Sequence, residues 1–539
     1  MMRRTLFVIV CLLLLNACRQ TQETPTITVL LVADGRVRTF AYTTPVTVDD
    51  FLRDPKVGVE LGELDRVTPP KYTQISDGLR ITVVRVTEKK ECEEQDIPFH
   101  QSTVPNEGLK PGEQRISQAG QNGRLQICYR TTLNDGVPGD RIETSRVQLT
   151  APQDEIIFVG MESNVEPVPI TGTLAYINGG NVWMMRGSSL NKIVLTTTGD
   201  VDTQSNTFKL SGDGRQLLFA RKTSKADSDN AFNQLWLLPD LSAQEPKPVA
   251  LVPGDVLYAD WIPGQDDTIS YSTGEASAAS PGWKARNDLL KMRIDPATGA
   301  SLNLTKIIES SGSGYYAWWG TRFDWSPDGQ KLAWVQADRV GLVDLVKSKL
   351  GDPILQYPVL RPVGDWSWRA TISWSPDSSL FVTTTHGAPV GSESAETSPA
   401  FDIRAADIGG TFNTQVVKNA GIWASPVFSP IVPNANSKFE KGYLAYLQAR
   451  DPFNSINGEY DLVVADRDGS NARKIFPKDG QPGLSAQQSL FQNQEFTWSP
   501  DGRQIAFIYQ KNLWIIDVES EVAHQLTVDR GASNPVWTR

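Results

Sequence analysis

Apolar positions in this chain come in short runs. Ile27-Thr28-Val29-Leu30-Leu31-Val32, Leu79 to Val86, Ile156-Ile157-Phe158-Val159, Gln234-Leu235-Trp236-Leu237-Leu238 and Asn512-Leu513-Trp514-Ile515-Ile516 are examples. Clusters of Gly, Asp, Asn and Pro separate them. Short apolar runs bounded by turn residues predict strands. One helix start stands out at Thr47-Val48-Asp49-Asp50-Phe51-Leu52, with Thr47 placed to cap and acids in the first turn. The chain is therefore expected to be mainly β.

From about residue 170 the pattern repeats. Phe323-Asp324-Trp325-Ser326-Pro327-Asp328-Gly329 precedes the apolar Lys331-Leu332-Ala333-Trp334-Val335. Phe496-Thr497-Trp498-Ser499-Pro500-Asp501-Gly502 precedes Gln504-Ile505-Ala506-Phe507-Ile508. Ile372-Ser373-Trp374-Ser375-Pro376-Asp377 and Val427-Phe428-Ser429-Pro430 are further copies, and degenerate ones begin at Lys209 and Asp260. Each copy supplies a first strand, a Ser-Pro-Asp-Gly hairpin, two more apolar strands and a short fourth, as at His524-Gln525-Leu526-Thr527. Four strands per repeat make a propeller blade. In that hairpin Pro presets φ, Asp bonds nearby backbone and Gly takes the positive φ, which gives those Asp residues structural work. First-strand anchors at Leu210, Trp261, Trp325, Trp374, Phe428, Trp498 and Trp537 give seven blades, or six if the degenerate copies merge. The run Asn534-Pro535-Val536-Trp537-Thr538 is a first strand, and Leu174 to Ile177 and Asn181 to Met185 read as a second and third. Pairing the C-terminal strand with these N-terminal ones would close the ring. Over 170–539 the repeat resembles the TolB-type, WD-like propeller family, which implies the fold and says little about function.

The first 170 residues read differently. A strand, the Asp34-Gly35 turn, a returning strand at Arg36 to Tyr42, the helix start and a late strand make a β-grasp pattern over 27–87. Val32-Ala33-Asp34-Gly35, Val48-Asp49-Asp50-Phe51-Leu52 and Ile75-Ser76-Asp77-Gly78-Leu79-Arg80-Ile81 resemble the ubiquitin-like domain of cell-wall proteins of the resuscitation-promoting-factor type. Over 88–165, strand-like residues alternate with Gly112, Gly120, Gly123, Gly136 and Gly160. That spacing resembles the G-five domain, a small all-β module. The resemblance implies a surface protein, and N-acetylglucosamine binding has been proposed for the family. Phe99, Tyr129 and Phe158 read equally well as core.

The N-terminus adds a compartment. Met1-Met2-Arg3-Arg4 precedes an apolar run from Leu6 to Leu15, too short for the ~20 residues that span a bilayer. A basic start, a short apolar stretch and small residues at the end predict a secretory signal. Leu15-Asn16-Ala17-Cys18 resembles a lipobox, so residues 1–17 would leave and Cys18 would carry lipid, with 18–26 as lipidated Cys and tether. This implies export and anchoring to the outer face of a bacterial membrane, at the cell surface or in the periplasm. Cys92 and Cys128 then sit where disulfides persist and are expected to pair.

Composition closes off other classes. The net charge of -10 argues against nucleic acid. Three His and four Cys leave little for a metal site, and none is expected; nor is a cofactor. No Gly-x-Ser-x-Gly elbow, Gly-rich phosphate loop or His-Glu-x-x-His helix occurs, and no hydrolase sequence follows the closing strand, so no catalytic residue is assigned. All 15 Trp lie at or after Trp183. Nine fit the blade register. The rest fall on the links between blades and on loops of one face: Trp283, Tyr315-Tyr316-Ala317-Trp318-Trp319, Trp366-Ser367-Trp368 and Trp423. Long loops at 223–232, 272–287, 386–401 and 450–459 share that face. Arg286, Arg369 and Arg450 are nearby donors suited to carboxylates. Two readings of the rings stay open: packing between blades, or an exposed platform for a partner or a glycan. The resulting expectation is a non-catalytic, lipid-anchored envelope protein whose propeller binds a protein. The alternatives are a surface protein binding carbohydrate or peptidoglycan and, more weakly, a hydrolase acting at the propeller mouth.

Overall fold

The computed structural model describes residues 26–107, 109, 111–160, 165–203, 205–223, 232–243, 246–431, 442–485 and 496–539. The expected signal, Cys18 and most of the tether lie outside the described residues, as does most of the 223–232 loop. Among the described residues no helix is long and apolar enough to cross a membrane. The chain divides into two compact units: residues 1–98 with 122–152, and residues 99–121 with 153–539.

In the first unit, Ile27–Ala33 turns at Asp34 and Gly35, both at positive φ, into Arg36–Tyr42. It also pairs in parallel with Leu79–Val84, and Arg66–Thr68 completes a four-stranded sheet. The helix Val48–Arg53 forms where expected, and Thr47 Oγ1 accepts from Asp50 N at 3.1 Å. The alternation of the first strand sends Val29 and Leu31 inward, where they meet Val48, Phe51, Leu52 and Ile81. Arg85 then ties the turns together. It donates to Asp34 and Asp65, each at 2.6 Å, and its backbone N–H bonds Asp135 Oδ1 at 2.8 Å.

Beyond Arg85 the chain enters a long ribbon. Val86–Ile97, Gly123–Asn134 and Val137–Thr150 form a three-stranded antiparallel sheet, largely exposed. Cys92 lies opposite Cys128 in the register, and a disulfide joins them. Cys92 therefore sits inside one strand and Cys128 inside its neighbour.

The second unit holds the other strands of the 88–165 stretch. Gln101–Asn106 pairs in parallel with Glu155–Gly160, which pairs antiparallel with Gln114–Gln118. This small sheet has too little core of its own and packs on the propeller. Phe158 is buried against Trp183, with ring centroids 6.3 Å apart. Glu107 and Lys192 form an ion pair whose side chains are 2% and 4% exposed. Glu107 also accepts from Val528 N–H, and Ser117 Oγ donates to Thr197 O at 2.9 Å. A Cβ at Gly120 would stand 2.3 Å from the Phe99 ring, so this glycine serves close packing.

Seven sheets follow among the described residues. Blade 1 pairs Ala532–Thr538 with Pro169–Asn178, and the latter with Asn181–Val194, so the two ends of the propeller segment share one sheet. Blades 2 to 7 start at first strands Lys209–Leu210, Val256–Ile262, Arg322–Trp325, Ile372–Trp374, Val427–Phe428 and Phe496–Trp498. Each of these pairs antiparallel with the next strand in sequence. The expected hairpin chemistry is present. Ser326, Ser375 and Ser499 hydroxyls donate to Asp328, Asp377 and Asp501 at 2.5, 2.5 and 2.6 Å. Gly329 takes φ 66°, and a Cβ there would stand 2.3 Å from Pro263 O.

The anchors also lock blade to blade. Trp261 Nε1 donates to Lys209 O at 3.2 Å, Trp374 to Asp324 O at 3.3 Å and Trp498 to Val427 O at 3.2 Å. In each case the acceptor is the residue before the anchor of an earlier blade. One large core cluster runs through blades 4 to 7 in this way.

Candidate functional site

Strand alternation places the Ser-Pro-Asp-Gly hairpins on one face of the ring. The links between blades lie on the other face, where the surplus aromatics fall. The structure divides those aromatics. Trp319, Trp368, Trp423 and Trp283 are buried, at 1%, 2%, 6% and 7% exposure, and so is Arg369. The sequence suggested a binding face for these residues; in the structure they are packing instead. The physical reason is the geometry of a link, which must cross from the outer strand of one blade to the inner strand of the next. Large flat rings fill the gap.

Trp319 meets Trp283 edge-on at 5.9 Å, and Trp283 stacks with Phe232 at 6.4 Å. Trp368 donates to Ile422 O at 3.3 Å and meets Phe401 at 5.2 Å. Trp423 donates to Ile456 O at 2.9 Å. Arg369 donates to Gly320 O at 2.9 Å and to Trp319 O, which holds the backbone of the 317–319 turn. Burial, and then Arg322 beside it, lower its pKa to about 9. Arg450 is also committed: Asp461 and Glu459 accept from it, each at 2.8 Å, and Gln481 O accepts at 3.0 Å. His386 ends a strand, buried, with its ring nitrogens 2.9 and 2.8 Å from Pro358 O and Ser398 O. It is a strut rather than a loop residue.

What stays outside is smaller. Tyr315 and Trp318 are 59% and 42% exposed, and Arg286 is exposed. Tyr316 is half-buried and meets Trp318 edge-on at 5.5 Å. Trp366 is half-buried as well and packs on the cluster of Leu257, Trp283 and Trp319. Asn287, next to Arg286, holds this link by donating to Ser311 O at 2.8 Å and Ala317 O at 2.9 Å. The exposed rings therefore stand on a rigid, buried aromatic base.

A second place was not visible as a site in the sequence reading. The inner strands line a cavity of about 320 Å3. The residue before each anchor is Lys209, Asp260, Asp324, Ser373, Val427, Thr497 and Val536 for blades 2 to 7 and then 1. Charge is thus confined to three consecutive blades. Lys209 Nζ lies 3.2 Å from Asp260 Oδ2, and this carboxylate raises the lysine's pKa. Arg322 lines the same cavity, and burial lowers its pKa to about 10. Asp324 is pushed up to about 7 by burial. Lys209, Asp260 and Arg322 act on it as charges, and its carboxylate makes no hydrogen bond among the described residues. The signal was an Asp before the anchoring Trp in two copies where others carry Ser, Thr or Val. Among the described residues no group of three or more His, Cys, Asp and Glu gathers as a metal site would need.

Comparison with known proteins gives two family matches and several structural neighbours. Residues 88–162 match the G5 domain family, and residues 458–536 match the dipeptidyl peptidase IV (DPP IV) N-terminal region. The solved G5 domain of IgA1 protease is 24% identical over 15% of this chain and 94% of that one, with a TM-score of 0.13. A putative TolB from Agrobacterium tumefaciens is 13% identical over 60% of this chain and 92% of its own, with a TM-score of 0.32. The periplasmic gluconolactonase of Pseudomonas aeruginosa is 12% identical over 68% and 99%, with a TM-score of 0.39. The G5 match covers residues 88–162, and the seven-bladed propeller stands on the seven sheets themselves.

Proposed function

We propose that this is a non-catalytic envelope protein, anchored through a lipid on Cys18, whose propeller binds a protein partner on its link face. The observation that carries the reading is the exposed pair Tyr315 and Trp318 on a buried aromatic base. Rings held rigidly give large contact area at low entropic cost, and such residues dominate binding energy at interfaces. Arg286 adds a charged donor at the rim.

The test is a photo-crosslinking residue at position 318 in the full chain in cells, with a control at the exposed Val346. A discrete protein adduct from position 318 alone, lost in Tyr315→Ala with Trp318→Ala, is expected. No adduct, or the same adduct from both positions, refutes the reading. Cys18→Ser should release the protein from membranes.

The G5 match supports a second reading, in which the partner is a glycan of N-acetylglucosamine type. Retention of the full chain on purified cell wall, unchanged by the Tyr315 and Trp318 substitutions, would favour it. The ribbon is a natural place for such contacts, since both its outer strands are exposed.

A further inference from the structure

Burying a carboxylate costs free energy unless something pairs with it. The propeller channel contains one such group. Asp260 has its counter-ion in Lys209, at 3.2 Å. Asp324 lines the cavity and makes no hydrogen bond among the described residues. We propose that the channel is a binding site for a small organic cation bearing a primary ammonium group, with Asp324 as the acceptor. This goes beyond the partner reading and does not depend on it.

Three observations point the same way. First, the cavity, about 320 Å3, falls within the ~300–1,000 Å3 of small-molecule sites. It is lined by rigid inner strands, each locked to its neighbours through the anchors. Second, the cations of the lining are engaged elsewhere: of Lys209, Arg322 and Asp324, which carry the cavity's charge, Lys209 is held by Asp260 at 3.2 Å and Arg322 donates to Ala370 O at 3.4 Å. An incoming ammonium would supply the charge-assisted hydrogen bond that Asp324 lacks, a strong contact in such a setting. Third, the rest of the wall suits the body of such a ligand. Ser373 and Ser425 offer hydroxyl groups, and Pro426 and Pro535 offer apolar surface. A hydroxylated amine such as an amino sugar and a plain alkylamine share the recognised group and differ only in this body.

The site also makes the binding pH-dependent. Burial holds the Asp324 carboxyl up to about 7, against the pull of Lys209 and Arg322 and with a push from Asp260. Only the ionised carboxylate accepts from an ammonium. For an amine that stays protonated throughout, affinity should rise about tenfold from pH 6 to pH 8.

The experiment is calorimetric titration of the full chain with butylamine, glucosamine, glycine and, as a neutral control, butanol. Millimolar binding of butylamine or glucosamine is expected, about tenfold or more weaker in Asp324→Asn and unchanged in the surface variant Glu309→Gln. Preference for glucosamine or for butylamine identifies the body. Glycine binding most tightly would add recognition of a carboxylate by the cavity's cations, with the ammonium contact retained. Butanol binding as well as butylamine does, no amine binding at millimolar concentration, or full binding in Asp324→Asn overturns the proposal. A second readout needs no variant. In the unmodified chain, carbon-13 NMR of the Asp carboxyls should show saturating butylamine moving the Asp324 titration about one unit lower. An unmoved titration overturns the proposal equally.

Discussion

In an unfolded chain an Asp carboxyl titrates near 4, whereas burial in the ring holds Asp324 up to about 7. Folding therefore takes up a proton between those values. The native state binds more protons than the unfolded one over that range, so stability falls as pH rises. The contribution is fully present below about 4 and lost as pH passes through 7. Asp324→Asn should flatten this part of the curve in thermal melts between pH 4 and 8, and an unchanged slope would contradict the assignment. In the sequence Asp324 differs from Asp328, four residues on, only in standing before the anchoring Trp325. One holds a hairpin through Ser326, and that role was legible because turns have local chemistry. The other owes its state first to burial in the ring, against the pull of Lys209 and with a push from Asp260, both far off in sequence and on neighbouring blades.

At the scale of elements, the contrast lies between strands and links. The strands were legible because period-two alternation and turn residues are local signals. The links were not. Trp318 and Trp319 are adjacent in sequence, yet one is 42% exposed and the other 1%. Composition cannot separate them, because which ring enters the gap between blades depends on the path of the chain through a turn. The ribbon shows a different economy. Val86–Ile97, Gly123–Asn134 and Val137–Thr150 bury little, and the disulfide between Cys92 and Cys128 staples two of them. Its loop spans 36 residues. Replacing both cysteines with Ser should cost the first unit about 2–4 kcal/mol. Hydrogen exchange should show the loss in the ribbon strands, with propeller amides unaffected. Equal protection with and without the disulfide would count against a stapling role.

At the scale of the molecule, the G5 domain is the informative case. Family comparison treats residues 88–162 as one module. Compactness assigns its strands to two units, because the sheet of Gln101–Asn106, Glu155–Gly160 and Gln114–Gln118 finds its core on blade 1. The buried Glu107–Lys192 pair fixes that arrangement. Lys192→Ala leaves Glu107 without its counter-ion and should cost about 3–5 kcal/mol, more than a surface ion pair could. The melting of the propeller should fall with it. A melt unchanged in midpoint would mean that this sheet and the propeller unfold separately.

The sequence alone determined the mainly β character, the seven repeats, the hairpin chemistry and the pairing of a C-terminal strand with N-terminal ones. All of these rest on short-range patterns repeated along the chain. Only the tertiary structure decided which tryptophans are core, how the strands of residues 88–162 are shared out and that Lys209, Arg322 and Asp324 line one channel. Those depend on residues 50 or more apart being brought together, as Trp261 and Lys209 or Trp374 and Asp324 are by their hydrogen bonds. A ring of blades makes such neighbours of positions that match in register, and no local pattern records which of them will carry charge.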